Sequence, residues 1–146
     1  MLLNSWLALH MSLFFAEIVT MDTSAYLKIK SLSPLLLVRD LERSIQFYHR
    51  LGFETAFRYG GFYAGIEKDG YSIHLKSGGP DKEERESRRK NEDLDIVFAV
   101  EQIEQLYEAI QSMPFNITQP LREMPYGREF YFADPDDNIL GFVGES

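Results

Sequence analysis

Cysteine is absent, which removes a disulfide framework, a thiolate metal site and a thiol nucleophile together. A reducing cytoplasm is the natural setting for such a chain. Positive charge is also in short supply: 15 Lys and Arg against 23 Asp and Glu leave a net charge of −8 and an isoelectric point near 4.9. That balance argues against nucleic acid as a partner, which is bound through basic surface. The same field would attract a small cation. Long apolar runs are missing too. Residues 1–20 are mostly apolar, but Glu17 interrupts them and no Lys or Arg provides a basic start. The stretch is too short to span a membrane and a poor secretory signal. Met21-Asp22-Thr23-Ser24 begins a more ordinary N-terminus, so 1–30 reads as an extension, either a mis-assigned translation start or a loosely attached segment. Neither a Gly-x-Ser-x-Gly elbow nor a Gly-rich loop opening a helix occurs.

What is present is enough chain, 146 residues, for one domain with a real core. Its most specific stretch is Pro125-Tyr126-Gly127-Arg128-Glu129-Phe130-Tyr131-Phe132, followed by Ala133-Asp134-Pro135-Asp136-Asp137-Asn138 and the apolar run 139–143. Pro cannot donate to a strand ladder and Asp and Asn close tight turns, so the stretch reads as a β-hairpin.

Earlier in the chain, a strand over 31–39 leads to Asp40, a good helix N-cap. Leu41, Ile45, Tyr48 and Leu51 then recur at helical spacing until Gly52. Strands are expected at 53–59, 62–67 and 71–76, separated by Gly60-Gly61 and Lys68-Asp69-Gly70. The composition then changes. Eleven of the thirteen residues 81–93 are charged with nearly balanced signs, so 77–93 reads as a charged linker, solvated or forming a short exposed helix. Beyond it lie a strand at 94–100, a helix at 101–113, and strands at 115–121, 129–133 and 139–143.

Both halves therefore read strand, helix, three strands. Locally the register repeats: Leu35–Val38 followed by Leu41 parallels 97–100 followed by Ile103, and Asp69-Gly70-Tyr71-Ser72-Ile73-His74 parallels Asp136-Asp137-Asn138-Ile139-Leu140-Gly141. The expected fold class is α+β, with paired βαβββ modules at about 31–76 and 94–144 in a domain 31–146. Each module leaves one sheet face uncovered, so two must pair into a curved, barrel-like mixed sheet around a cleft with helices outside.

These residues carry a resemblance. The hairpin of 125–143 resembles the last hairpin of the glyoxalase/bleomycin-resistance/dioxygenase (vicinal oxygen chelate) superfamily, and Pro-Tyr-Gly-Arg-Glu-Phe is similar to its bleomycin-resistance-protein branch. Pro34-Leu35-Leu36-Leu37-Val38-Arg39-Asp40-Leu41-Glu42-Arg43-Ser44, running through Phe47-Tyr48 to Leu51-Gly52-Phe53, resembles the superfamily's opening strand and helix. The resemblance implies a small-molecule binding protein that sequesters its ligand in an aromatic cleft without metal, as a homodimer. Its rivals are a metal-dependent lyase, isomerase or dioxygenase of the same superfamily, and a regulatory or orphan binding domain.

Carried over residue by residue, the superfamily's metal positions fall on Ser33 or Pro34, His74, Asp95 and Gly141. Pro34 and Gly141 offer no side-chain donor, and a catalytic metal wants three protein ligands. No cofactor is therefore expected, with His74 and Asp95 as the ligands if a divalent metal is present. Strand alternation turns Ile73, Leu75, Ile96, Phe98, Val100, Leu140 and Phe142 toward the helices, and His74, Asp95 and Gly141 toward the cleft. Tyr126, Glu129 and Tyr131 are the expected ligand contacts on the final hairpin, with His74, Asp95, Tyr59 and Tyr63 completing the wall. Aromatic walls take planar or cationic ligands by stacking and cation–π contact, and Glu129 would offer a carboxylate to a cation. No catalytic residue is assigned, and neither membrane nor nucleic acid is expected as a partner.

Overall fold

The computed structural model describes residue 8 and residues 23–145, so most of the expected extension 1–30 lies outside the described residues. The chain divides into two compact units at Leu32/Ser33. In the first, Thr23–Ala25 forms a 3₁₀ turn. No helix among the described residues is long and apolar enough to cross a membrane.

The second unit contains β1 (Leu35–Val38), α1 (Leu41–Arg50), β2 (Glu54–Tyr59), β3 (Tyr63–Lys68), β4 (Tyr71–Ser77) and α2 (Lys82–Lys90). It continues with β5 (Ile96–Ala99), α3 (Ile103–Gln111), β6 (Asn116–Met124), β7 (Gly127–Ala133) and β8 (Ile139–Gly144). The strands form two four-stranded mixed sheets, ordered β1-β4-β3-β2 (sheet 1) and β5-β8-β7-β6 (sheet 2). In each, the first strand runs parallel to the last and the other pairs are antiparallel. The fold is α+β with paired βαβββ modules, and its two sheets do not close into one barrel.

The duplication holds at the level of register. Leu35, His74, Gly65 and Phe57 lie in line across sheet 1, and Val97, Gly141, Tyr131 and Gln119 across sheet 2. Two residues further along, Tyr63 pairs with Tyr59, and its counterpart Glu129 pairs with Arg122.

One core joins the helix-facing sides of both sheets. Leu36, Val38, Ala64, Ile66, Ile73 and Leu75 from sheet 1 share it with Phe130, Phe132, Leu140 and Phe142 from sheet 2. Burying a Leu, Ile or Phe side chain fully contributes roughly 1.5–3 kcal/mol, so this shared interior is the main force holding the modules together. Phe142 stacks on Phe98, Phe130 and Phe132 at 4.8–5.2 Å between ring centroids. Phe47 of α1 crosses the boundary edge-on to Phe115 at 5.0 Å. α1 begins where the sequence predicts: the Asp40 carboxylate accepts from the Arg43 amide at 3.1 Å, satisfying one free N–H of the first turn.

The turn between β7 and β8 is a polar clasp between modules. Asp134 is 4 % exposed and accepts from the Tyr48 hydroxyl of α1 at 2.9 Å. It also accepts from the amides of Asp136 and Asn138 and from the Asn138 side chain. Asp136 in turn accepts from the Arg39 amide, and Asn138 donates to the Leu37 carbonyl. Burial pushes the Asp134 carboxyl up to about 6, against the opposing pull of these donors.

Candidate functional site

Each sheet has a second face, turned away from the shared core, and the sequence-predicted site residues fall on these two open faces. On sheet 1, side chains at alternate positions give Leu35, Leu37, Phe57, Tyr59, Tyr63 and His74 a common side. All six residues of β2 are exposed. Phe57 lies across Gly65, where a Cβ would collide with its ring, and stacks against Tyr63 with the ring planes 15° apart. His74 meets Phe57 edge-on at 5.2 Å, and its Nδ1 is hydrogen-bonded to the Tyr63 hydroxyl at 2.7 Å. Tyr59 and Tyr63 are thus brought together with His74, with Tyr59 60 % exposed.

Sheet 2 has a different face. Glu129 is 4 % exposed, and both its carboxylate oxygens are occupied. Oε1 accepts from Arg122 Nε at 2.9 Å, Arg122 Nη2 at 2.8 Å and the Tyr131 hydroxyl at 2.7 Å. Oε2 accepts from the Tyr126 hydroxyl at 2.6 Å. Burial raises the Glu129 carboxyl, but the donors Tyr126, Tyr131 and Arg122 together outweigh it and hold it below the usual range. On the other side of the same bonds, burial and the Glu129 bond push Tyr131 up to about 12. Arg122 is held charged by its bonds to Glu92 and Glu129, and its guanidinium lies 5.5 Å from the Tyr131 ring centroid. Tyr126, Glu129 and Tyr131, the residues expected to contact a ligand, therefore form one hydrogen-bonded cluster. The carboxylate that the sequence offered to a cation is already balanced by Arg122.

The linker covers part of this face. It folds into α2 and a turn that brings Leu94 over Gly141, where a Cβ would collide with Leu94, and into contact with Tyr131, Ala133 and Ile139. The arginines of α2 that read as solvated face inward. Asp95 Oδ1 pairs with Arg85 at 2.9 Å and Arg88 at 3.1 Å, while Oδ2 accepts from the Ile139 amide at 2.8 Å. Asp95 thus ties the linker to sheet 2 and lies on a different sheet from His74. Ser33, the position equivalent to Asp95 in the first module, hydrogen-bonds to Ser72.

These placements do not fit a resident metal. Asp95 is engaged by Arg85, Arg88 and the Ile139 amide, Gly141 has no donor, and no group of three or more His, Cys, Asp or Glu is arranged for a metal among the described residues.

Sequence reasoning missed Arg122, Gln119 and Glu92. Gln119 accepts from Arg122 Nη1 at 3.1 Å, and Glu92 holds the guanidinium's outer edge. Two irregularities in the β6–β7 register, between Ile117 and Gln119 and between Gln119 and Arg122, break simple alternation along β6. Period-two reading cannot place Arg122 on the open face for that reason. Two clefts of about 360 and 380 Å³ lie elsewhere, one between α1 and the start of β6, the other beneath α2.

The family model described as "Glyoxalase/Bleomycin resistance protein/Dioxygenase superfamily" matches residues 28–142. No curated protein sequence matches the chain. Among solved structures, the bleomycin-binding protein of bleomycin-producing Streptomyces verticillus, complexed with copper(II)-bleomycin, is 21 % identical with a TM-score of 0.60, over 82 % of this chain and 99 % of its own. The bleomycin resistance determinant encoded on transposon Tn5 is 17 % identical with a TM-score of 0.64, over 81 % and 99 %. A point mutant of the genomically encoded fosfomycin resistance protein FosX from Listeria monocytogenes, complexed with Mn(II) and 1S,2S-dihydroxypropylphosphonic acid, is 20 % identical with a TM-score of 0.62, over 82 % and 93 %. At these identities the likeness is one of fold.

Proposed function

The chain belongs to the glyoxalase/bleomycin resistance protein/dioxygenase superfamily, and we propose that within it this protein binds and sequesters a planar small molecule without metal, in a cleft completed by a second copy of itself. The observation that carries this reading is the open face of sheet 1. Phe57, Tyr59, Tyr63, Leu35 and Leu37 form an aromatic and apolar patch, with Leu35 50 % and Tyr59 60 % exposed. Patches of this kind mark binding surfaces. Sheet 2 carries the opposite character at the same register positions, a fixed polar network. Sheet 1 of one chain laid against sheet 2 of another encloses a slot with an aromatic wall and a polar wall. The aromatic wall stacks the ligand's plane, and Tyr126, 59 % exposed at the tip of its hairpin, closes one end. We place this activity in the cytoplasm, where a cysteine-free chain needs no oxidising compartment.

The single-chain mass of 16.9 kDa makes the first test simple. Light scattering at micromolar concentration is expected to give twice that mass, and a monomer alone would overturn the shared cleft. A thermal-shift screen of planar antibiotics and metabolites should then find stabilising compounds, since a ligand at one hundred times its dissociation constant adds about 2.7 kcal/mol. Metal analysis of protein purified without chelator is expected to show no stoichiometric ion. One divalent ion per chain, lost in His74→Ala, would favour the metal-dependent enzyme instead.

A further inference from the structure

We propose that the ligand carries a carboxylate, which binds Arg122 by displacing Glu92; this rests on the shared-cleft reading above. Arg122 is a cation with one fixed side and one replaceable side. On the fixed side, Nε and Nη2 donate to buried Glu129, and Nη1 donates to Gln119 at 3.1 Å. The replaceable side is held by Glu92 in the fork-to-fork geometry of a carboxylate ligand, with Nη2 to Oε2 at 2.8 Å and Nη1 to Oε1 at 3.3 Å. The two carboxylates differ sharply in exposure: the Glu129 side chain is 6 % exposed and that of Glu92 is 48 %. A solvent-exposed ion pair exchanges partners at little cost, whereas a buried one does not.

The backbone of Glu92 adds a second observation. It sits just past α2 with φ +57°, its amide donating to the Arg89 carbonyl and the next amide, that of Asp93, to the Arg88 carbonyl. This is the left-handed helix terminator in which Gly is unstrained and Glu is not. A glutamate here carries backbone strain while its side chain holds Arg122. Exchange for a ligand carboxylate leaves the charge at Arg122 unchanged. The Tyr131 ring under the guanidinium and the aromatic wall expected opposite give the ligand's planar body its place. Glu129, the carboxylate buried on this face, has both oxygens occupied and offers nothing to a cationic ligand.

The test uses benzoate, benzylammonium and uncharged indole as probes on the full chain, with binding read from NMR titration of the Arg122 Nε–H and the Tyr63 and His74 resonances. Wild type is compared with Glu92→Gly, which relieves the left-handed strain, and Glu92→Gln, which keeps the strain and removes the charge. Benzoate is expected to shift Arg122 and to bind about five- to tenfold more tightly in Glu92→Gly, as when a competitor that holds the site most of the time is removed. Glu92→Gln should tighten it in the same direction. The proposal is overturned if benzoate binds no more tightly in either variant, or if benzylammonium binds wild type better than benzoate. Indole shifting Tyr63 and His74 while benzoate fails would leave the shared cleft standing and remove only this inference. Failure of all three probes at both faces would overturn both.

Discussion

The two open faces share one backbone plan and have opposite chemistry. At four matched positions sheet 1 has Phe57, Tyr59, Tyr63 and His74 where sheet 2 has Gln119, Arg122, Glu129 and Gly141. Sheet 1 satisfies little of its own surface: β2 is exposed throughout, and among the described residues of the second unit nothing plays there the part that Leu94 plays on sheet 2. Sheet 2 is closed on itself, with Glu129 taking four hydrogen bonds from three residues. Duplication of a module thus fixes where side chains point without fixing whether they need a partner. An unpartnered apolar face gains by meeting another surface, and a self-satisfied polar face can meet it without leaving a charge unpaired.

The sharpest way to break this comparison is to remove the centre of the polar face. Glu129→Ala leaves Arg122 without its buried partner and strands the Tyr131 hydroxyl, and should destabilise the fold by about 2–3 kcal/mol. At the matched site in sheet 1, Tyr63→Phe removes only the bond to His74 and should cost about 1 kcal/mol or less. Urea unfolding of the two variants measures both. Equal losses would mean that the faces do not differ in self-sufficiency.

A smaller effect separates the two inter-strand turns that precede β4 and β8. Asp134 is buried under Tyr48, while its counterpart by register, Lys68, is exposed at the end of β3, as is Glu67 beside it. Because the folded Asp134 carboxyl lies near 6, above the ordinary value of 3.8, the folded state binds a proton that the unfolded state has released between those values. Stability from this group is therefore present at low pH and lost as pH rises through about 6. Unfolding free energy should rise by about 1 kcal/mol on going from pH 7 to pH 5. Asp134→Asn should abolish that dependence, and Glu67→Gln should leave it intact. A wild-type profile that falls over the same interval would contradict the raised value.

Most of this asymmetry was hidden in the sequence although the fold was not. The helix cap at Asp40, the Asp-Pro-Asp-Asp-Asn turn and the repeated register of Leu35–Val38 and 97–100 are local signals, set by a few neighbouring residues, and they survive folding unchanged. Alternation along β7 is equally local: it puts Phe130 and Phe132 in the core and Glu129 and Tyr131 on the other face. What could not be read was pairing across distance. The charges of 81–93 nearly cancel within the segment, so nothing local shows that Arg85 and Arg88 turn to Asp95 or that Glu92 reaches Arg122, thirty residues away. The irregular register of β6 then concealed Arg122 itself.

The smallest expected change in stability belongs to Tyr59, which matches Arg122 in position and differs from it most in attachment. Arg122 is tied to Glu92, Gln119, Glu129 and Tyr131, whereas Tyr59 touches Phe57 at 5.6 Å between ring centroids and is otherwise 60 % exposed. Tyr59→Ala should therefore alter the unfolding free energy of the monomer by no more than about 0.5 kcal/mol, as for a surface substitution away from caps and networks. Its effect belongs to association. If the aromatic face meets sheet 2 of a second chain, an aromatic anchor removed from the contact should weaken the dimer about tenfold or more, read as a rise in the dissociation constant by sedimentation. Unfolding must be followed at a concentration where the chain is monomeric, because a dimer that dissociates on unfolding would make the same variant look destabilised. A dimer of unchanged strength in Tyr59→Ala would leave this face exposed without a protein partner. A monomer destabilised by several kcal/mol would instead make Tyr59 part of the interior, and the contrast between the two faces would fail at the position where it is greatest.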